Sequence, residues 1–277
     1  MSSHTPNNTY LGAPFSLPGS PDRKAGAVVV HGFTGSPFEM RPLGEWLSAR
    51  GWAVEGPCLL GHGGTTRDLA ATRWPDWLGS VESAVERLEA HVGQGRVAVV
   101  GLSLGGALTL ELARRRLATG SPLPTIAALA PALWLSPGAM RFEDLVHRHL
   151  GALVRAFTFR AALPKISGSD LSDVAMRKAN GIAQGTAGMP LAALHSLVEL
   201  GQSLRPRLGE ITTPTLLVHS PHDHTIPYAC STFAHSHLGG PSRLVTLDKS
   251  HHVITLDVER DRVFTEVGRH LDAYLPK

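Results

Sequence analysis

Ser103 stands in Gly101-Leu102-Ser103-Leu104-Gly105, with Val97-Ala98-Val99-Val100 before it and a run of helix formers from Gly106 after it. A β-branched run, a Gly-x-Ser-x-Gly turn and a helical segment form the setting in which a serine sits on a strained strand-to-helix turn. Small residues are needed on both sides because strand and helix crowd together there. The hydroxyl then projects above the sheet, and the N–H of Leu104 lies at a helix N-terminus where it can meet an oxyanion. The chemistry open to such a serine is nucleophilic attack. It needs an imidazole to take the hydroxyl proton and a third group to hold that imidazole's tautomer.

In this setting the acid and then the histidine follow the serine in the chain, each at the carboxyl end of a strand. Asp223 qualifies, three residues beyond the apolar strand Thr215 to Ser220, and His252 qualifies between the last strand and the last helix. The order Ser103, Asp223, His252 results without adjustment. The second oxyanion donor is expected in the loop after the early strand that ends at His31. Gly32 lets the backbone approach there, so the N–H of Phe33 is the candidate, paired with that of Leu104. His219, His222, Asp223 and His224 are also potential metal ligands. His219 and His222 fall in and just after a strand, and no second cluster has helical ligand spacing. The pattern supports at most an adventitious site, and no catalytic metal is expected. His62, between glycines, reads as a loop residue that bonds locally, and His147 and His149 as surface residues on different faces of a helix.

The elements that must carry these residues can be read from periodicity. Ala25 to Val30, Arg96 to Val100, Thr125 to Leu133 and Thr215 to Ser220 are short continuous apolar runs, as expected for strands buried on both faces. Further strands are expected from Trp52 to Val54 and over Arg243 to Leu247. Helices are expected over Pro42 to Arg50 (after a short turn, and stopped by Gly51), Pro75 to His91, Gly105 to Leu117, Ala229 to His237 and Val258 to Tyr274, the last with Asp257 as N-cap. Strands alternating with helices give an α/β fold with a mostly parallel central sheet covered on both faces.

The alternation breaks between Trp134 and Pro214, where no convincing strand is read. Phe142, Leu145, Val146, Leu150, Leu153, Val154 and Phe157 keep helical spacing, as do Leu191, Leu194, Leu197 and Val198. The chain divides accordingly into an N-terminal tail with a candidate edge strand (1–24), a core (25–133 and 215–277) and a helical cap or lid insertion (134–214). Placed at the carboxyl end of a central strand, the insertion would lie over the functional edge of the sheet, its apolar underside covering a pocket for apolar substrate.

The chain of 277 residues is 43% hydrophobic and 18% charged, ordinary values for a globular protein. A net charge of +3 and aromatic content of 6% do not describe a nucleic-acid binder. Arg114-Arg115-Arg116 reads as a favourable interaction with a helix C-terminus. Cys58 and Cys230 cannot form a disulfide framework; a single bridge stays open, but their apolar surroundings favour buried free thiols. No secretory signal or membrane-spanning segment is recognised, so no stable membrane insertion and a cytoplasmic location are the expectations.

Together His31-Gly32-Phe33-Thr34-Gly35-Ser36-Pro37, Gly61-His62-Gly63, Gly101 to Gly106, Asp223-His224-Thr225-Ile226-Pro227 and Ser250-His251-His252-Val253-Ile254-Thr255-Leu256-Asp257 resemble bacterial α/β-hydrolase carboxylesterases and monoacylglycerol lipases. The resemblance runs from Ala25 to the C-terminus and takes in Gly168-Ser169-Asp170-Leu171. It implies the α/β-hydrolase fold, Ser103 as nucleophile, Asp223 as acid, His252 as base, Phe33 and Leu104 as oxyanion donors, no cofactor, and a small ester substrate, for which the expected apolar cap suggests an apolar acyl chain. The doublet His251-His252 offers two bases, and position relative to Val253-Ile254-Thr255-Leu256-Asp257 favours His252. Acyl transfer, perhydrolysis and carbon–carbon bond hydrolysis remain alternatives on the same triad. A non-enzymatic binding homologue is a further reading, although such a protein would be expected to have lost part of the triad. Acyl length and oligomeric state are not legible.

Overall fold

The computed structural model describes residues 12–136, 162–164, 170–173 and 188–275. The helical stripe Phe142 to Phe157, His147, His149 and Gly168-Ser169 lie outside them. In chain order the strands are β1 (Phe15–Leu17), β2 (Gly26–Val30), β3 (Ala53–Gly56), β4 (Val97–Leu102), β5 (Ile126–Leu129), β6 (Ala162–Pro164), β7 (Gly188–Pro190), β8 (Thr215–His219) and β9 (Ser242–Thr246). The helices are α1 (Arg41–Ser48), α2 (Thr66–Ala70), α3 (Trp74–Val92), α4 (Leu104–Ala118), α5 (Leu191–Leu204), α6 (Ala229–His237) and α7 (Arg260–Tyr274).

Seven strands form one sheet in the order β1-β3-β2-β4-β5-β8-β9, parallel except for β1, which pairs antiparallel with β3 at the edge. Every residue of β2, β4, β5 and β8 is buried. Their alternate residues serve two cores. Val28, Val30, Val97 and Val99 join Leu residues of α3, α4 and α5 on one face, while Ala27, Val29, Ala98 and Val100 join α1 and α7 on the other. Burial on both faces is why these strands read as unbroken apolar runs. From β2 the chain moves to β3 on one side and then returns to β4 on the other. The switch point of the sheet therefore lies between β2 and β4, and their carboxyl ends border the crevice where ligands bind in open α/β sheets.

Several boundaries differ from the reading above for identifiable reasons. The strand expected to reach Leu133 ends at Leu129, because Ala130 adopts a φ of 45° and turns the chain. The last helix begins at Arg260 with Glu259 as its N-cap. Asp257 is not free to cap, since its carboxylate accepts from the N–H and hydroxyl of Ser172 and from the N–H of His251. In the interval 134–214, β6 and β7 form a short antiparallel pair where no strand was expected. α5, from the same interval, packs Leu194, Leu197, Leu200 and Leu204 into the core shared with α3 and α4. The three arginines do more than face a helix terminus: Arg114 and Arg115 pair with the buried Glu111, and Arg116 with Glu89. Cys230 is buried, whereas Cys58 is half-buried, and both are free thiols.

Candidate active site

Ser103 occupies the tight turn between β4 and α4 with φ 58° and ψ −115°, the left-handed side of backbone space that L-residues avoid. The turn is pinned from two sides. Its N–H donates to the Leu129 carbonyl at 2.8 Å, and its own carbonyl accepts from Ala107 at 3.1 Å and Ala132 at 3.1 Å. The flanking glycines are steric requirements. A Cβ on Gly101 would lie 2.1 Å from the Gly105 carbonyl oxygen, and one on Gly105 would lie 2.4 Å from that of Val30. The helix thus starts almost in contact with the end of β2, which brings the serine beside the loop that follows β2.

The hydroxyl of Ser103 lies 2.9 Å from Nε2 of His252, whose Nδ1 lies 2.6 Å from Oδ2 of Asp223. With the ring proton on Nδ1, His252 donates to the carboxylate and accepts from the serine, the arrangement a general base requires. Burial disfavours a charged His252 ring, but the charge and hydrogen bond of Asp223 outweigh it and raise its pKa above the ordinary value. For Asp223, burial alone would raise the pKa. The His252 ring beside it and hydrogen bonds from His219 and His252 reverse this and hold it well below the usual carboxylate range. Asp223 itself is fixed on both oxygens. Oδ1 accepts from the N–H groups of Thr225 (2.8 Å) and Ile226 (2.7 Å), and Oδ2 accepts from Nε2 of His219 at 2.9 Å as well as from His252.

His219 is therefore a support of the acid rather than a metal ligand. Its other nitrogen meets the Ser231 hydroxyl at 2.8 Å, which sets the tautomer that donates to Asp223. Sequence reasoning missed this role, although the last residue of β8, four before the acid, was the available signal. His222 contributes its backbone N–H to Ser220. The doublet at 251 and 252 is divided by the fold, for only His252 reaches Ser103, while Nδ1 of His251 lies 3.2 Å from Asp170.

The segment 170–173 holds the histidine loop from outside. The Asp170 carbonyl accepts from the N–H groups of His252 and Val253, each at 3.1 Å, and Asp257 clasps Ser172 on one side and His251 on the other. Nothing in the local sequence pattern marks the bond between Ser172 and Asp257, because the partners lie 85 residues apart.

After β2 the chain turns sharply through Gly32 and Thr34, whose φ is 57°. A Cβ on Gly32 would sit 3.4 Å from Cβ of Ser103, so the loop passes directly against the nucleophile. The buried Glu39, from the turn of 3-10 helix Pro37–Glu39, accepts the Gly32 N–H at 2.9 Å and so sets the loop's course. Among the described residues no hydrogen-bond acceptor meets the N–H of Phe33 or of Leu104. Beneath the loop His31 accepts the Leu59 N–H on Nε2 and lies 2.9 Å from the Gly32 carbonyl through Nδ1. Burial, with His62 nearby, lowers its pKa to about 3 against the bond to Gly32, so the ring stays neutral. His62 packs edge-on against Trp77, and Nδ1 lies 3.4 Å from the Leu60 carbonyl within its own loop.

The chain as a whole matches a known family. The family described as serine aminopeptidase, S33 covers residues 21–259. This chain belongs to that family. It is 30% identical over 239 residues to a thermostable monoacylglycerol lipase of Bacillus sp. (strain H-257), covering 86% of each chain. It is 28% identical over 247 residues to a carboxylesterase of Bacillus subtilis (strain 168), covering 88% of this chain and 91% of that one. Among solved structures it resembles one from work on LipS and LipT, two metagenome-derived lipolytic enzymes, at 28% identity and a TM-score of 0.79, over 95% of this chain and 98% of the other. The α/β-hydrolase fold expected from the sequence is the fold found.

Proposed function

We propose that this member of the serine aminopeptidase S33 family is a serine carboxylic ester hydrolase that cleaves acyl esters, monoacylglycerols among them, through an acyl-enzyme. The observation that carries this reading is the unbroken hydrogen-bond path from the Ser103 hydroxyl through His252 to Asp223. In the first half-reaction Oγ of Ser103 attacks the ester carbonyl while Nε2 of His252 accepts the hydroxyl proton. The N–H groups of Phe33 and Leu104 stabilise the tetrahedral oxyanion, and Asp223 stabilises the imidazolium. Collapse breaks the bond to the alkoxy group, which leaves with the proton from Nε2. Water then attacks the acyl-enzyme, giving its proton to the same nitrogen, and the carboxylic acid departs as Oγ is reprotonated.

Support for an ester with an apolar acyl chain comes from the curated relatives, one a monoacylglycerol lipase and one a carboxylesterase. Among the described residues no helix is long and apolar enough to cross a membrane. The test is hydrolysis of a chain-length series of aryl esters and monoacylglycerols by the wild type and by Ser103→Ala. A fall of about 10⁴-fold or more in kcat is expected, with a serine-directed phosphonate labelling only the peptide that carries Ser103. Turnover that survives the substitution refutes the mechanism.

A further inference from the structure

On the outer side of the histidine loop, three side chains converge for which the catalytic reading has no use. Oδ1 of Asp170 lies 3.2 Å from Nδ1 of His224 and 3.2 Å from Nδ1 of His251, and all three atoms fall within 4.8 Å of one another. The two imidazoles stand at 89° with centroids 4.5 Å apart, so both rings bring Nδ1 close to one carboxylate oxygen from perpendicular planes. A hydrogen-bond hub explains only part of this. Oδ2 of Asp170 already accepts from the His224 N–H and the Thr225 hydroxyl, each at 3.1 Å, and the His224 ring meets Oδ1. Among the described residues the buried Nδ1 of His251 makes no hydrogen bond, because Oδ1, although near, lies off the direction of its ring N–H.

That off-axis approach is what shared coordination produces. With metal–ligand distances of about 2.0–2.1 Å, the donors of a tetrahedral site stand about 3.3 Å apart, each displaced from its neighbour's lone-pair axis. Two imidazole nitrogens and one carboxylate oxygen form a set for borderline divalent transition ions, not for Mg²⁺ or Ca²⁺, which take oxygen ligands. His224 is 68% exposed at its side chain, so an ion has access from solvent and a water can complete the coordination.

We infer that Asp170, His224 and His251 form a binding site for a divalent transition cation, of which Zn²⁺ is the representative, at the rim of the active site. The neutral imidazoles bind through Nδ1 and keep their ring protons on Nε2. The ion joins three separate segments: the one around Asp170, the loop after the acid and the loop before the base. The site is structural, because none of its three side chains reaches Ser103.

The experiment uses tag-free, chelator-treated full chain carrying Ser103→Ala, so that its result does not depend on the ester-hydrolase reading. Calorimetric titration with ZnCl₂ is expected to give one site that His224→Asn and His251→Asn each weaken about tenfold or more. Zn²⁺ at saturation is expected to raise Tm, with no rise from Mg²⁺ or Ca²⁺. Co²⁺ is expected to give the visible bands of a four-coordinate ion, lost in His224→Asn. Because His224 is exposed, that variant folds and remains an interpretable control. The inference is overturned by absence of Zn²⁺ binding, by equal affinity in wild type and His224→Asn, or by an equal Tm rise with Ca²⁺.

Discussion

Replacing His219 tests how far the geometry of the acid controls the rate. The ring is fully buried and gives Oδ2 of Asp223 a donor at 2.9 Å, on the same oxygen that receives His252 at 2.6 Å. His219→Leu keeps similar bulk and removes that donor, leaving Oδ2 with His252 alone and the Ser231 hydroxyl without its partner. A hydrogen bond to a charged group contributes about 1.5–3 kcal/mol. Expressed wholly in the transition state, in which Asp223 faces an imidazolium, this corresponds to a loss of about 10- to 100-fold in kcat. The substrate does not touch His219 in the proposed mechanism, so KM is expected to stay constant. His219→Gln retains an N–H donor at similar reach and is expected to recover most of kcat. Steady-state kinetics on a single aryl ester, with circular dichroism to verify folding, decides the matter. A kcat within twofold of wild type in His219→Leu, or Gln as slow as Leu, refutes the positioning role.

Other consequences can be checked with simple variants. His252→Ala is expected to lower kcat by about 10⁴-fold, and His251→Ala to fall far short of that loss in the same esterase assay; the reverse ranking moves the base to position 251. Ser103→Gly relieves the backbone at φ 58°, so its Tm is expected to exceed that of Ser103→Ala by about 2–3 °C although both are inactive. Gly105→Ala drives a Cβ to 2.4 Å from the Val30 carbonyl oxygen and is expected to destabilise by about 3 kcal/mol, visible as a lowered denaturant midpoint.

Acid stability follows from His31, His62 and His270, whose pKa values burial lowers to about 3, 4 and 4 from the ordinary 6.5. Unfolded, these rings bind protons near pH 6.5, so the stability they give is full above that pH and is lost as pH falls towards 4. For His270 the loss by pH 5 is about 2 kcal/mol, and urea titrations at pH 7.5 and 5 are expected to show a smaller loss in His270→Gln. An equal loss in that variant refutes the assignment.

The core and the serine turn were readable because local rules govern them. Alternate residues of β2 and β4 enter cores on both faces, so those strands appear as unbroken apolar runs. The glycines around Ser103 mark a contact between strand and helix that allows no Cβ. Asp223 and His252 could be picked out because each follows a strand in the order the turn demands, and the fold brings both within hydrogen-bond distance of their neighbours in that chain. What stayed hidden depends on side chains meeting across long stretches of sequence. Asp257 looked like a helix cap, since a lone aspartate before a helix has no closer reader, yet Ser172 and His251 take its oxygens. His219 looked like one of several clustered imidazoles, and only its place at the end of β8 gives it the acid as a partner. Nothing around Glu39 marks it as the acceptor of the Gly32 N–H seven residues back.

The main-chain carbonyl of Asp170 bears on how such enzymes can be re-engineered. It receives the N–H groups of His252 and Val253, so the loop carrying the proposed base is completed by residues from the interval between β5 and β8. An interval exchanged between relatives to alter substrate range is therefore not a detachable cassette. A chimera that replaces 134–214 wholesale also exchanges the segment whose placement brings that carbonyl to the N–H groups of His252 and Val253. One that grafts around an intact Asp170-Leu171-Ser172 keeps both the carbonyl and the clasp to Asp257. Splice points on either side of those three residues, rather than at the ends of the interval, leave in place what holds the loop of the proposed base.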